Sequence, residues 1–397
     1  MKKVLAVLLC MAMCLQGVSA LAYKDYNDVR EEYVKITDLL YDLEIMEGDG
    51  EGNFNPDDTL TRAEAAAIMV RLLGLEDDAR QGETNFDDVP ENHWASGYVN
   101  VAEANGIING IGDYKFNPEG EVTYHQFVKM LVCLLRYELV AEANGAWAGG
   151  GYLYVGSSRV TGFTKGVDGK ADDVITRMTA ARLVYNALEV DLFDRDYFNY
   201  FPQTGIEGST FSSPEPAKNI LTEYLGCEKI HGVITNCVDD SVEVVITKNV
   251  YDDYDINYTV GQKFTFTDKT RNARNFIGYT IIAYVRKTTE GDLFLVTDEK
   301  VGKNNKFVVD ARLIEEFTNE KVVYYKSRMN VNTTETTIDS YVYVKKEKVA
   351  VSCNVIVNGK LNPDFDVYKN YKTLDEITFL DNDNDGDFEF IIVNTTE

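Results

Sequence analysis

Two periodicities divide the chain. Between residues 23 and 191 apolar residues recur three and four positions apart, the spacing of helices that bury one face. From about residue 216 they alternate with polar residues, the spacing of half-buried strands. In the first region FNPDDTLTRAEAAAIMVRLLGL (54–75) predicts one helix in detail. Thr61 and Glu64 are spaced as a capping box, apolar positions run from Ala65 through Ile68, Met69 and Leu72 to Leu73, and Gly74 is a stop signal. In the second region SVEVVIT, KFTFT, YTIIAYVR, KFVVD, KVVYYK and DFEFIIV are β-branched and aromatic, with Gly, Asn and Asp turns between them. Residues 192–215 mix aromatics with Gly, Ser and Pro without a period and read as a linker. AKNILTEYLG (217–226) reads as a short helix.

The helical region repeats itself. FNPDDTLT (54–61) returns as FNPEGEVT (116–123), each ahead of an apolar helix pattern, and ITRMTAARLVYNAL (175–188) supplies a third helix start. Tyr33-Val34, Tyr98-Val99 and Tyr152-Leu153 open the equivalent earlier helices, and YNDV (26–29) matches FDDV (86–89). This gives helix–loop–helix units at 23–81, 82–138 and 139–191, which bury a shared core only by packing together. The expected fold is a multidomain α + β chain. A three-repeat helical bundle is followed by a β-rich region at 216–397, a sandwich or small barrels, between which periodicity does not decide.

Arg62 stands in an odd place. It falls at the first helical position, where the positive end of the helix dipole disfavours a cation. Such a helix end offers free N–H groups to an anion, and a guanidinium beside it would add a bidentate carboxylate clamp. The bland alternative is a surface arginine paired with Asp57 or Asp58. The third unit keeps the residue as Arg177, whereas the second reads Thr123-Tyr124-His125-Gln126, retaining the capping box without the arginine. That separability suggests that the arginine serves a ligand and that its removal should cost little stability.

The TRAE behind an FNP turn, FDDVPENHWASGYV (86–99) and the GI-x-x-G loop at 106–110 together resemble the S-layer homology family. The resemblance implies a three-pronged, pseudo-threefold helical bundle that binds secondary cell-wall polysaccharide of Gram-positive-type bacteria non-covalently, often through pyruvylated sugars. It makes Arg62 and Arg177 candidate polysaccharide-binding residues. Trp94 corresponds to the tryptophan of the family's HWA motif, read first as a core anchor between helices and second as a platform for a sugar ring. Trp147 is its weaker equivalent in the third unit. Gly48, Gly110 and Gly166 end the first helix of each unit, where a left-handed turn would expose backbone N–H groups to a sugar. The second half more loosely resembles β-rich regions that accompany such modules in clostridial surface proteins, which implies no defined activity.

Charge and processing narrow the function. MKKVLAVLLCMAMCLQGVSALA (1–22) reads as a signal peptide, so the protein is expected to be secreted, in the cell wall or S-layer, and no later segment is long and apolar enough to span a membrane. The net charge of −26 becomes about −28 once Lys2 and Lys3 leave with the signal, which argues against nucleic acid as a partner. Cys133, Cys227, Cys237 and Cys353 are too few for a disulfide framework, and whether Cys227 pairs with Cys237 stays open.

One further motif carries chemistry. In DNDNDGDFE (381–389), Asp381, Asp383, Asp385 and Asp387 alternate, Gly386 allows a tight turn, and Glu389 takes the ninth position. This is a calcium-loop spacing with hard oxygen ligands, although Ile392 stands where an EF-hand needs a bidentate Glu; the alternative is a solvated acidic hairpin. The run Asp49-x-Glu51-x-Asn53 is a weaker version. His93, His125 and His231 form no catalytic motif, and adjacent carboxylates such as Glu315-Glu316 carry no weight among 65 acidic residues. The expected function is therefore non-enzymatic: a surface protein anchored through its repeats, with the β-rich part a structural or interaction module that could self-associate in a surface layer. The alternatives are a wall-remodelling enzyme and a calcium-dependent adhesin.

Overall fold

The computed structural model describes residues 23–25, 31–80, 84–194, 198–201, 205–211, 218–251, 256–268, 272–288, 291–295, 304–325, 328–333, 336–341 and 344–395. The expected signal peptide (1–22) and the YNDV match (26–29) lie outside or largely outside these residues. The chain divides into two units, 1–227 and 228–397.

In the first unit the helical periodicity becomes α1 (Glu31–Asp42), α2 (Arg62–Leu72), α3 (Glu76–Ala79), α4 (Ser96–Ala104), α5 (Tyr124–Leu134), α6 (Glu138–Ala143), α7 (Gly151–Ser157) and α8 (Arg177–Ala187). The capping boxes form as the spacing predicts. The Thr61 hydroxyl accepts from the Glu64 N–H at 3.2 Å while Glu64 accepts from the Thr61 N–H at 2.8 Å, and Thr123 and Gln126 do the same at 3.4 and 3.1 Å.

The three helix pairs interlock cyclically. α2 packs on α4, α5 on α7, and α8 on α1, so the second helix of each pair lies against the first helix of the next. At the three equivalent seams a cation covers the tyrosine that opens the neighbour's helix: Arg71 over Tyr98 at 5.9 Å, Lys129 over Tyr152 at 5.7 Å and Arg182 over Tyr33 at 4.7 Å. At the centre, the segments entering α2, α5 and α8 close a backbone ring. Leu60 N–H donates to the Ile175 carbonyl (3.2 Å), Ile175 N–H to Val122 (3.0 Å) and Val122 N–H to Leu60 (2.9 Å), with all three side chains buried. The pseudo-threefold bundle is thus stitched by hydrogen bonds that no single pair can make.

The stretch expected to be a linker contains a hairpin, β1 (Phe198–Phe201) and β2 (Gly205–Phe211), whose antiparallel ladder pairs the backbone without an apolar period to announce it. The short helix expected at 217–226 is a single π-helical turn, Ile220–Tyr224, capped by Asn219.

The second unit resolves the choice between sandwich and barrel as a barrel sharing its core with an open sheet. Strands β3 (Glu228–Val238) and β4 (Ser241–Lys248) are followed by a small hairpin of β5 (Val250–Tyr251) and β6 (Ile256–Tyr258). Then come β7 (Lys263–Thr267), β8 (Thr280–Thr288) and β9 (Gly291–Leu295). They close in the order β3-β4-β7-β9-β8, with β7 and β9 parallel and the other neighbours antiparallel, the topology of a five-stranded Greek-key barrel. The remaining strands are β10 (Asn305–Asp310), β11 (Ile314–Phe317), β12 (Lys321–Tyr325), the hairpin β13 (Arg328–Thr333) and β14 (Thr336–Tyr341), β15 (Val344–Val357), β16 (Lys360–Leu361), β17 (Glu376–Asp381) and β18 (Asp387–Val393). The sheet runs β10-β17-β18-β15-β12-β11, β16 adding to β15, and only β15 and β18 are parallel. Barrel residues Ile230, Ile234, Val244, Phe266 and Ile281 share one core with Ile356, Leu380 and Phe390 of the sheet.

No disulfide joins Cys227 to Cys237, and Cys133 and Cys353 are likewise not bridged. Burial pushes the thiols of Cys133, Cys237 and Cys353 up to about 12, so their thiolates are scarce at neutral pH. Native protein should therefore resist alkylation at the buried Cys133 and Cys237 and react at both in denaturant, as read by mass spectrometry. Rapid native labelling, or an unreduced cystine peptide, would contradict the buried-thiol arrangement.

Candidate functional site

The first turns of α2 and α8, where the sequence suggests a ligand, are occupied by the neighbouring unit, and so is that of α5. In α2 the Arg62 N–H donates to the Gly120 carbonyl (2.8 Å), Ala63 N–H to Pro118 (2.9 Å), Glu64 N–H to Thr61 Oγ1 and Ala65 N–H to the Thr61 carbonyl (2.9 Å). The helix start therefore has no free N–H for an anion. The same crossing recurs twice: Tyr124 and His125 N–H groups donate to Asp173 and Ala171, and those of Arg177 and Met178 to Asp58 and Pro56.

The arginine side chains complete these crossings. Arg62 is only 8% exposed; its Nε donates to the Phe116 carbonyl (2.8 Å), its Nη2 to the Asn109 carbonyl (2.9 Å), and its guanidinium lies 4.5 Å from the Phe116 ring centre. Burial lowers its pKa, opposed by the carboxylate of Asp88. Arg177 repeats the arrangement on the first unit: Nε to the Phe54 carbonyl (2.8 Å), Nη2 to the Glu47 carbonyl (3.2 Å), Nη1 to Glu64 Oε1 (3.3 Å), and the guanidinium 5.4 Å from the Phe54 ring. The FNP turn is the receptor. Its Phe supplies the ring and a carbonyl, its Asn takes positive φ (54° at Asn55, 61° at Asn117), and its Pro carbonyl meets the second N–H of the incoming helix. Asp25 and Asp88 fix the turn by accepting from the N–H groups of Phe54 and Asn55, and of Phe116 and Asn117.

This corrects the expectation of an exposed arginine whose loss costs little. The second unit lacks an arginine because the third unit, which receives it, has no FNP turn. Tyr124 stands there instead, its hydroxyl donating to the Val167 carbonyl (3.0 Å) and its ring packed so close to Gly169 that a Cβ would lie 2.4 Å away. The signal was in the sequence, as the joint presence or absence of arginine and FNP turn, but reading it required the cyclic order of the units.

Trp94 is 57% exposed, which overturns its reading as a core anchor. Ala95 and Ser96 take the inward positions at the start of α4, leaving Trp94 outside, stacked beside His93 (6.0 Å between ring centres) and near Tyr98. Trp147, 47% exposed, lies flat on the buried His125 ring at 3.7 Å, and burial lowers the His125 pKa. Of the glycines, Gly166 takes the left-handed turn (φ 74°) but Gly48 and Gly110 do not. These two are glycine because a Cβ would lie 2.7 Å from the Asn53 carbonyl oxygen and 2.8 Å from that of Lys115. The left-handed residues after the first helices are Glu44 and Gly106. Asp49, Glu51 and Asn53 form a hydrogen-bonded loop: Asp49 accepts from the Glu51 and Asn53 N–H groups and from the Asn53 and Asn55 amides.

In the second unit the acidic turn joins β17 to β18. Asp381, Asp383, Asp385 and Glu389 can each place a carboxylate oxygen within 4.8 Å of the others. Asp381 is fully buried and accepts from the Asn384, Asp385 and Gly386 N–H groups, while Glu389 accepts from Asn382. Burial, reinforced by Asp383 and Asp381, raises the Glu389 pKa against its backbone hydrogen bonds. Asp387 falls outside this group and pairs with Lys348 at 2.7 Å.

The family model for the S-layer homology domain matches residues 22–66 and 85–128. The chain carries S-layer homology domains. The matched stretches contain both halves of the arginine–FNP interlock's first seam up to α5. A cell surface protein of Thermoanaerobacter kivui is 30% identical over 199 residues, 48% of this chain and 25% of that protein. A middle cell wall protein of Brevibacillus brevis is 30% identical over 46% of this chain and 16% of its own length. An uncharacterized cell wall amidase of Bacillus anthracis is 28% identical over 49% of this chain and 39% of its own. The chain thus spans a quarter or less of the first two relatives. The S-layer homology domains and these surface-protein relatives place the protein at the cell wall, and among the described residues no helix is long and apolar enough to cross a membrane.

Arg62→Ala should lower unfolding stability by about 2–3 kcal/mol, since two buried carbonyls lose a charged donor and a cavity opens beside Phe116. Arg62→Lys should recover only part, because an ammonium cannot match the planar fork over the ring. Urea unfolding of both variants checks this; an unchanged midpoint for Arg62→Ala would contradict the interlock.

Proposed function

We propose that the three helix pairs act as one module that holds the protein non-covalently on a secondary cell-wall polysaccharide, and that the β-rich unit is a non-enzymatic structural or interaction module at the surface. The observation that carries this reading is the exposure of Trp94 within a matched S-layer homology domain. A large aromatic left in water beside a polar pair, here His93 and Glu119 at 3.4 Å, is the chemistry that stacks a sugar ring and orients its hydroxyls. Trp147 supplies a second such face. Arg62 and Arg177 serve this site by holding the units in register. If the glycan is pyruvylated, as the resemblance implies, its ketal carboxylate would have to be met locally, because the chain's charge of −26 repels anions at long range.

The amidase relative supports the competing reading of a wall-remodelling enzyme. We favour the non-enzymatic one because the first two relatives named above are a cell surface protein and a cell wall protein. Self-association in a surface layer would be a further property of the same module.

Calcium is the second part of the proposal. Asp381, Asp383, Asp385 and Glu389 have the donor chemistry and the proximity for a hard cation, which would relieve the repulsion among them.

Two outcomes are expected. Full-length protein should sediment with purified cell walls and stay in solution once the polysaccharide has been extracted, and Trp94→Ala should reduce sedimentation several-fold with its melting unchanged. Binding that survives extraction, or is indifferent to Trp94, counts against the reading. The protein should also melt at higher temperature in millimolar calcium than in chelator, with the difference abolished when Asp383→Asn and Asp385→Ser are combined. A melting curve that ignores calcium leaves a solvated acidic hairpin.

A further inference from the structure

A cleft of about 540 Å³ opens at the end of the sheet in the second unit, where the parallel neighbours β15 and β18 both finish, at Val357 and Val393. In open α/β sheets, crevices beyond the carboxyl ends of parallel strands are recurrent ligand sites, and the one parallel pair of this otherwise antiparallel sheet places a cleft in the same way. The volume lies within the range of small-molecule clefts, roughly 300–1,000 Å³.

Its frame is fixed by the protein's own hydrogen bonds. After β15 the chain reverses through Asn358 and Gly359, both at positive φ. The Asn358 side chain then ties to the strand leaving β18: Nδ2 donates to Thr395 Oγ1 (2.9 Å), and Oδ1 accepts the Thr395 N–H (2.8 Å). On the opposite side the short helix α9 (Val367–Asn370) and the turn after it are held by Asn370 Nδ2 to the Asp366 carbonyl (2.9 Å) and Thr373 Oγ1 to the Asn370 carbonyl (2.7 Å).

What the frame leaves unused is the informative part. The Asn394 amide, Asn362 Nδ2, Asn370 Oδ1 and the Asp375 carboxylate line the cleft without a hydrogen-bond partner among the described residues. Behind them lie the apolar Phe365 and Leu374. Neither Lys nor Arg is in the lining, and Arg312, the cation that Asp375 faces, is already bound to Asp310 at 2.5 Å. A lining of neutral amides, each both donor and acceptor, suits ligands whose groups are also both, which means hydroxyls. The single carboxylate and the absence of a lining cation disfavour anions. One carboxylate among amide N–H groups is also far from the oxygen shell that a divalent cation needs.

We propose that this cleft binds a neutral sugar, one or two rings of an uncharged glycan, with the amides of Asn362, Asn370 and Asn394 and the Asp375 carboxylate on its hydroxyls and Phe365 and Leu374 against its apolar face. It gives the β-rich unit a glycan contact of its own, chemically distinct from an anionic wall polysaccharide and independent of the helix pairs. The contact is expected to be weak, in the millimolar range usual for a few neutral hydrogen bonds on an open rim.

Saturation-transfer NMR on the full chain tests it, with methyl glucoside, methyl galactoside, N-acetylglucosamine and its disaccharide as neutral probes and glucuronate as the anionic one. At least one neutral probe should receive saturation, and glucuronate should receive less. Asn394→Ala combined with Asp375→Ala, two exposed positions whose side chains the frame does not use, should weaken that binding at least about tenfold with unchanged melting. No transfer to any neutral probe, equal or better transfer to glucuronate, or transfer indifferent to the double variant would each overturn the proposal. Should the double variant melt early, Asn394→Ala alone decides, with a loss of about fivefold expected and no loss contradictory. Sedimentation of the double variant with cell walls, predicted to match the parent, keeps this cleft separate from wall anchoring. A chain that binds sugar but not walls defeats the anchoring reading alone, and the converse defeats this one.

Discussion

The helical unit depends on a ring of three backbone hydrogen bonds among Leu60, Val122 and Ile175. Each bond joins two different helix pairs, so the ring closes only when all three pairs are in place. Everything else in the unit is arranged around that closure. The first two N–H groups of each second helix, which a free helix would leave to water, donate to carbonyls of a neighbouring unit's loop. Arg62, Tyr124 and Arg177, at the first helical position of α2, α5 and α8, then carry the crossing outward from backbone to side chain. The unfavourable placement of a cation at a helix start is offset by two carbonyl acceptors and an aromatic face supplied by the neighbour.

Rigidity of this kind has a functional consequence. The surface between neighbouring units is assembled from both, so its shape is set by the ring and not by any one repeat. Trp94 and Trp147 each stand just ahead of the first helix of a unit, at a seam where the previous unit's second helix docks. A platform held that way loses little freedom when a ligand arrives. The seams are not equivalent, because one face of Trp147 is already covered by His125 while Trp94 only leans against His93. The unit therefore offers unlike surfaces on a nearly symmetric frame.

How much of this could be read from the residues follows from the range of the interactions. The capping boxes at Thr61 and Thr123 are local, so their spacing announced them, and with them the starts of α2 and α5. The partners of Arg62 lie at Asn109 and Phe116, in another unit, and no local rule reaches them; the arginine accordingly read as a ligand clamp when it is an interlock. Gly48 and Gly110 misled for the same reason, since their constraint is a carbonyl closing over them and not their own φ. Trp94 was misread because apolar character was taken to mean burial, when Ala95 and Ser96 had already filled the inward positions. In the second unit alternation identified strands, but pairings such as β10 with β17 or β15 with β18 are long-range and leave no periodic trace. The carboxylates of the acidic turn are close in sequence, and the turn stands between β17 and β18, ahead of the strand that its spacing led one to expect.

The claim on which the account rests is that the three helix pairs form one cooperative ring. Native-state hydrogen exchange of the Leu60, Val122 and Ile175 amides measures it most directly. Because each N–H is released only when the ring opens, the three should show the same opening free energy, equal to that of unfolding the helical unit as a whole. Exchange of one of these amides through a separate, lower-energy opening would mean that its helix pair detaches alone, and the ring would not be what holds the unit together.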